Sequence, residues 1–452
     1  MGATEHSEAK RPFLERFALH RPELRAWALY DWANSAFWLT VITVVFPLYY
    51  LELTKGVFEE GSSEPVRYYS LATTIAIAAV ALIAPLLGTY ADLYGLRKRL
   101  LALFAGIGVL ATAGLFFVMP GQWVLGLVLF GVANLGVAGS VVFYDALLPH
   151  VASPEETHRL STSGFALGYV GSGLLLVANF LWISKPEWIG LPSYEDVAGD
   201  VAAETFPTRL ALLSVAVWWG VFTLPLLRRV SEPPADGRQP HETGSAFHVS
   251  WTRLLGTMRD LMRYRQAVRL LVAFLIFNDG IVTLVRMASL YASDRDIERN
   301  VVLGSILLLQ FIGVPFALLF GALADRVGAK RMVLFGLATY CVASVCAYFM
   351  SLPWHFVGLA VLIGVVQGGT QGLARSMFAR MIPLEKSGQF FAFFAVGEKF
   401  AGIFGPLLFT LVIAWTGDVQ PAVLVLIAFF LVGGLLLTRV DESQGIREAR
   451  AG

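Results

Sequence analysis

The chain has 452 residues, of which 56% are hydrophobic and 15% charged, against about 25% charged in a soluble domain. A formal net charge of +1 provides no basic surface for a nucleic-acid partner. The two cysteines, Cys341 and Cys346, lie in one apolar run, point to different helix faces and read as small core residues rather than a disulfide or metal site.

The apolar residues come in blocks longer than about 18, the signature of membrane-spanning helices. Twelve spans follow in order, at 27–50, 68–91, 98–119, 123–147, 160–184, 207–228, 267–291, 301–324, 331–350, 354–380, 388–414 and 421–439. Each is long enough, at about 1.5 Å per residue, to cover a hydrocarbon core of about 30 Å. Residues 1–26 are polar and basic, and no cleavable leader is expected ahead of the first span. The reading is an all-α integral membrane protein.

The first span opens with Tyr30-Asp31-Trp32-Ala33-Asn34-Ser35-Ala36-Phe37. Asp31 and Asn34 share one face of the helix. A carboxylate in a membrane helix costs roughly 2.5–3.5 kcal/mol on insertion scales, so this face is expected to look into a cavity. The fourth span carries Asn134 and Asp145, eleven residues apart and so on nearly one face. Gly164, Gly168, Gly364, Gly368 and Gly372 have the spacing of close helix packing.

Lys and Arg placement sets the orientation. Only Lys55, Arg67, Lys185, Arg209, Arg295 and Arg299 fall on the side opposite the termini, and Arg286, Arg375 and Lys399 fall within spans; the rest of the 34 lie on the termini side. Both termini are therefore expected in the cytoplasm. Compact loops suggest a bacterial inner (plasma) membrane.

Residues 229–266 form a linker. Its first part, from Ser231 to Gly237, reads as flexible and polar. In its second part Phe247, Trp251, Leu254, Leu255, Met258, Leu261 and Met262 follow helical spacing. Such a helix either lies on the membrane face or packs on the protein's underside. The domains expected are thus a segment at 1–26, six-helix bundles at 27–228 and 267–440, the linker between them, and a tail at 441–452.

The later spans add further polar groups: Asn278, Asp279 and Arg286 in the seventh, Gln367, Gln371 and Arg375 at i, i+4, i+8 in the tenth, and the pair Glu398 and Lys399 in the eleventh. Trp218, Trp219, Tyr49 and Tyr50 suit an interfacial belt, and His150, His158 and His355, at span ends, are expected at the surface.

The halves repeat. Gly88, Asp92, Gly95, Arg97 and Lys98 recur as Gly321, Asp325, Gly328, Lys330 and Arg331, at an offset of 233. Pro149, Gly168 and Gly171 recur as Pro383, Gly402 and Gly405, at an offset of 234. A duplicated six-helix unit follows, of the kind related by an axis normal to the membrane. The pattern G-x-x-x-D-x-x-G-x-R/K-R/K after spans 2 and 8 resembles the loop motif of the major facilitator superfamily, over the whole chain. The Tyr30–Phe37 stretch resembles the vacuolar amino-acid effluxer-like branch, the autophagy-related effluxers and their bacterial relatives.

That resemblance implies two six-helix bundles about a pseudo-two-fold axis, a cavity lined by helices 1, 4, 7 and 10, and export of amino acids by alternating access. It marks Tyr30, Asp31, Asn34, Asn134, Asp279, Gln367, Gln371 and Arg375 as substrate-binding candidates. Asp31, Asp279, Glu398 and Lys399 are candidates for coupling to a proton or sodium ion. Asp92, Arg97, Lys98, Asp325, Lys330, Arg331, Asp145 and Arg286 are gate candidates. Arg375 or Lys399 would meet a substrate carboxylate, or the same charges would pair and lock the inner gate. Asp92 and Asp325 would each cap the helix that follows and pair with a basic residue in one state.

Two departures matter. The fourth span lacks an internal arginine and the fifth lacks the proline of the usual antiporter motif, so proton antiport does not carry over. The partners expected are a small-molecule substrate, a coupling ion and the bilayer, for a monomer without cofactor or metal. Without a G-x-x-x-x-G-K-S/T loop, ATP is not the direct energy source, and without H-E-x-x-H or G-x-S-x-G an enzyme is not indicated. An exporter of lipophilic or drug-like compounds and a non-transporting membrane sensor are the alternatives.

Overall fold

The computed structural model describes residues 12–59, 64–237, 245–260, 263–294, 297–417 and 420–451. Twelve long helices run through them: α1 (Pro22–Thr54), α2 (Glu64–Tyr94), α3 (Arg97–Gly114), α4 (Trp123–Val151), α5 (Thr157–Ser184), α6 (Phe206–Arg229), α7 (Arg265–Asp294), α8 (Arg299–Val327), α9 (Ala329–Tyr348), α10 (Pro353–Arg380), α11 (Ser387–Thr416) and α12 (Ala422–Thr438). Ten of them are individually long and apolar enough to cross a membrane. α12, with 17 residues, sits at the short end of the usual span of about 17–25, and α11 contributes the apolar stretch Leu407–Thr416.

Proline opens several helices at their first turn, where its missing N–H costs no hydrogen bond: Pro22, Pro207 and Pro353. α1 is not uniform. After Ala36 it widens into a π-helical stretch, Phe37–Val45, before resuming an α-helix at Phe46. Pro47 follows at once, and a proline's missing donor is a recognised cause of such a disturbed ladder. The stretch begins at the last residue of the Tyr30–Phe37 sequence.

The glycines of the repeated loop motif have a local reason. Gly95 and Gly328 end α2 and α8 with φ of 60° and 98°, in the region that a Cβ disfavours.

The outer surface of the bundle is apolar. Leu82, Leu110, Phe117, Trp415 and Leu435 are among many large side chains that stand exposed. On spanning helices such a belt faces lipid rather than water.

Several sequence expectations are corrected. Trp219, Tyr49 and Tyr50 are buried, not interfacial; Trp219 fills the notch left by Gly108, and the Tyr49 hydroxyl donates to Val118 O at 2.5 Å. Cys346 is exposed on the outer face of α9 rather than in the core. The first part of the linker is pinned, not loose: Asp236 N donates to Asp92 O at 2.9 Å and Gly237 N to Leu93 O at 3.2 Å. The linker helix, Ala246–Asp260, packs on α2 with Val249, Ser250 and Leu254 buried and Trp251 and Leu255 outward. The side chains of Phe247, Met258, Leu261 and Met262 lie outside the described residues.

Candidate functional site

The two halves meet most closely at the face that carries the termini and the linker, and Arg375 of α10 is the centre of that contact. It is buried. Its Nη2 donates to Asp31 Oδ2 of α1 at 3.1 Å and its Nη1 to Asp145 Oδ1 of α4 at 3.1 Å. Its Nε donates to Ser161 Oγ and Nη2 also to Ser161 O, each at 2.9 Å, both on α5. One guanidinium of the C-terminal half thus ties three helices of the N-terminal half together.

Aromatic residues enclose it. The guanidinium carbon lies 5.1 Å from the Trp27 ring centre, 5.6 Å from Tyr144 and 4.6 Å from Phe165, within cation–π range. The Tyr144 hydroxyl donates to Asp31 Oδ2 at 2.8 Å, and Trp27 Nε1 donates to Tyr144 O at 3.1 Å. Tyr30 is fully buried with its ring 4.9 Å from that of Tyr144. Space for this cluster comes from Gly164 of α5, where a Cβ would collide with Asp31 Oδ2.

A second contact joins α2 and α11. Asp92 accepts from Gly388 N and Gln389 N at 2.9 Å each, and from Arg97 Nε at 2.7 Å. It caps α11 of the other half, not α3 as the sequence suggested. Glu232, beyond α6, takes that place by accepting from Lys98 N and Arg99 N. Arg97 Nη2 also reaches Glu385 O at 2.9 Å.

The repeat is broken at its counterpart. Asp325 of α8 pairs with Arg159 of α5, across the halves, at 2.8 Å. Lys330 Nζ donates to Val440 O at 2.8 Å, as Lys98 Nζ does to Val230 O at 2.9 Å. These two lysines hold loops within their own halves, and Arg331 is exposed.

A third contact was not foreseen. His158, expected at the surface, is buried in α5. Its Nδ1 lies 2.7 Å from Ser376 Oγ and its Nε2 2.5 Å from Arg380 Nη1, both on α10. The same Nε2 lies 3.4 Å from Glu442 Oε1. Arg380 also pairs with Glu442 at 2.8 Å. Burial works to raise the Glu442 carboxyl, but His158, Arg380 and Lys330 outweigh it and hold it below its ordinary value. His150 likewise reaches across, with Nε2 3.0 Å from Ser387 Oγ.

The remaining candidates are dispersed. Asn34 and Asn134 turn back on their own helices, donating to Tyr30 O at 2.6 Å and Phe130 O at 2.9 Å. Gln371 Nε2 of α10 donates to Asn278 Oδ1 of α7 at 3.0 Å. Asp279 Oδ2 accepts from Gly405 N at 3.0 Å. Gln367 lies one turn from Gln371. The side chains of Arg286, Glu398 and Lys399 lie outside the described residues. Among the described residues no group of His, Cys, Asp and Glu could hold a metal.

The sequence carried one usable signal that was missed. The pair Tyr-Asp occurs twice, at 30–31 and 144–145, and both aspartates meet Arg375. Ser161 and His158 gave no such signal.

The family described as "Vacuole effluxer Atg22 like" matches residues 19–450. The chain belongs to that family. This Atg22-like protein is 35% identical over 419 residues to the MFS-type transporter YxiO of Bacillus subtilis, covering 92% of this chain and 94% of that one. It is 25% identical over 468 residues to autophagy-related protein 22-1 of Penicillium rubens, covering 85% and 76% of the two chains. Its fold matches the proton:xylose symporter XylE with a TM-score of 0.67 at 12% identity, over 97% of this chain and 98% of that one. It also matches a bacterial homologue of the iron transporter ferroportin in an outward-facing state, with a TM-score of 0.62 at 14% identity, over 92% and 98%. The Atg22-like chain is therefore a multi-pass MFS-type transporter, not an enzyme.

Proposed function

We propose that this transporter moves a small polar metabolite, in the first place a neutral amino acid, out of the cytoplasm by alternating access. In this reading the bundles at 27–228 and 267–440 rock about a central site as a monomer in the plasma membrane. The termini face is cytoplasmic, and the conformation described above is closed on that side.

The observation that carries the reading is the buried bridge from Arg375 to Asp31 and Asp145. A structural ion pair would join helices of one bundle. This one joins α10 to α1, α4 and α5 across the seam that alternating access must open. Opening it separates one cation from two carboxylates, and uncompensated charges in low dielectric are expensive. A proton or sodium ion at Asp31 or Asp145 would lower that cost, which gives the pair the coupling role.

The description of the family as vacuole effluxers supports net movement of a solute across the membrane. Efflux in the fungal relatives would run out of the vacuole into the cytoplasm, so the direction across a bacterial membrane is set by the gradient that couples.

Counterflow in proteoliposomes loaded with unlabelled amino acids tests the reading. Labelled neutral amino acids should accumulate transiently in wild-type vesicles and not in vesicles with Arg375→Ala. Exchange of lipophilic compounds without exchange of any amino acid would contradict it. So would binding without flux, which is the behaviour of a sensor.

A further inference from the structure

At the termini face the two halves differ in how their basic loops are neutralised. The N-terminal half supplies its own anion. Lys98 Nζ donates to Val230 O, and two residues beyond that valine Glu232 accepts from Lys98 N at 2.9 Å and Arg99 N at 3.2 Å. The C-terminal half follows the same path at first. Lys330 Nζ donates to Val440 O, and Glu442 comes two residues beyond it. Glu442 does not turn to α9, however. The chain after Val440 forms a helix, Glu442–Ala451, whose start is tied to Gln266 of α7 through Asp441 N and Gln444. Glu442 therefore reaches Arg380 instead.

This leaves a groove of about 680 Å³ between the start of α9 and the end of α12. Its cations have no carboxylate. Arg331 and Arg439 are exposed, and their side chains have no partner among the described residues. Lys330 Nζ meets only carbonyl oxygens, those of Thr438 and Val440. The acids that border the groove are committed elsewhere: Asp325 to Arg159, Glu442 to Arg380, and Asp441 to Gln444 N. One turn deeper along each helix the surface becomes apolar. Phe335 follows Arg331 by four residues on α9, and Leu435 precedes Arg439 by four on α12, so each pair shares a helix face. Both apolar side chains are exposed, and the two helices pack together where Gly434 faces Leu334 and Leu337. A positive groove above an exposed apolar track, on spanning helices, is complementary to an anionic headgroup whose acyl chains lie in the same bilayer.

We propose that this groove binds an anionic phospholipid, with its phosphate on Lys330, Arg331 and Arg439 and an acyl chain along Phe335 and Leu435. Arginine suits the phosphate because it can bind two oxygens at once. The lipid supplies the negative charge that Glu232 supplies to the other half. A free phosphate would meet the same cations but leave the apolar track unused. The groove also borders Asp325 and Glu442, whose contacts to Arg159 and His158 cross the halves. A bound lipid thus sits beside the contacts that close the termini face.

The test is thermal unfolding of the purified full chain in neutral detergent, titrated with phosphatidylglycerol, phosphatidylcholine or inorganic phosphate. Phosphatidylglycerol should raise Tm saturably, because it binds the folded chain. Phosphatidylcholine, with no net charge, and inorganic phosphate, with no acyl chain, should not. Arg331→Gln with Arg439→Gln should shift the titration midpoint roughly thirtyfold to higher lipid, the loss of two surface cations. Lys330 stays, because it holds the end of α12. Arg99→Gln with Arg229→Gln removes the same charge from the corresponding exposed positions of the other half and should leave the midpoint in place. Equal shifts in the two double variants would mean diffuse surface charge and no site. A rise in Tm with inorganic phosphate as large as with phosphatidylglycerol would make the ligand a soluble anion and overturn the lipid. An equal rise with phosphatidylcholine would remove the role of the cations.

Discussion

Arg375 has two carboxylates where one would balance its charge. Asp31 and Asp145 each take one of its terminal nitrogens, and neither alone is indispensable to keeping the cation paired. Asp31→Asn or Asp145→Asn should therefore each lower the apparent melting temperature modestly. The double variant leaves a buried guanidinium without any carboxylate and should cost more than the two single losses combined, on the scale of about 3–5 kcal/mol for a broken buried pair. Thermal unfolding of the purified variants in detergent measures this, and simple additivity would contradict the shared-cation geometry.

At this scale the sequence was partly legible. Asp31, Asp145 and Arg375 stood out because charges inside spans are rare. Their convergence could not be read, because Asp145 and Arg375 are brought together by packing between halves and not by any periodicity. His158 was misjudged for a related reason. Its place at a span end suggested solvent, but in this fold that end is where the other half seats.

Among elements, the crossing of α2 and α11 depends on two glycines. A Cβ at Gly88 would lie 2.5 Å from Gly388 O and 2.9 Å from Gly388 C, with backbone on the other side that cannot turn away. Gly88→Val should thus hinder closure of the termini face, with a penalty of about 1–3 kcal/mol for overpacking. The transport rate should fall while expression and membrane insertion persist. Gly106→Val on α3, where a Cβ meets nothing within 4 Å, is the control. Equal rates in the two variants would remove the crossing from the gate.

The loop motif that contains Gly88 and Asp92 was readable in the sequence, down to the glycine that ends α2. Its asymmetry was not, since Asp92 caps α11 while Asp325 pairs with Arg159. The π-helical stretch in α1 was equally hidden. A proline at position 47 disturbs a helix, but does not by itself set the nine residues over which the ladder shifts.

On the scale of the whole molecule, the twelve spans were legible almost to their ends, because lipid demands long apolar runs with every backbone group bonded internally. The repeat at offsets of 233 and 234 gave the two-bundle plan. What the repeat could not give was the conformation. That depends on small differences between two seams, one rich in glycine and paired charges, the other apolar. Toward the face opposite the termini, Val44 of α1, Leu176 and Phe180 of α5, and Leu303 and Ile306 of α8 border a cavity of about 230 Å³.

The most direct test of this account is the accessibility of Thr162 on α5. Its side chain is buried against Gly321 of α8 and Gly372 of α10, in the seam at the termini face, and among the described residues its hydroxyl bonds to its own helix, at His158 O and Arg159 O. In a variant with Cys341 and Cys346 replaced, Thr162→Cys should resist a membrane-impermeant thiol reagent applied from the termini face in the resting transporter. It should become reactive during exchange of cargo. Alternating access predicts that difference; a reaction rate that is the same with and without cargo would contradict it.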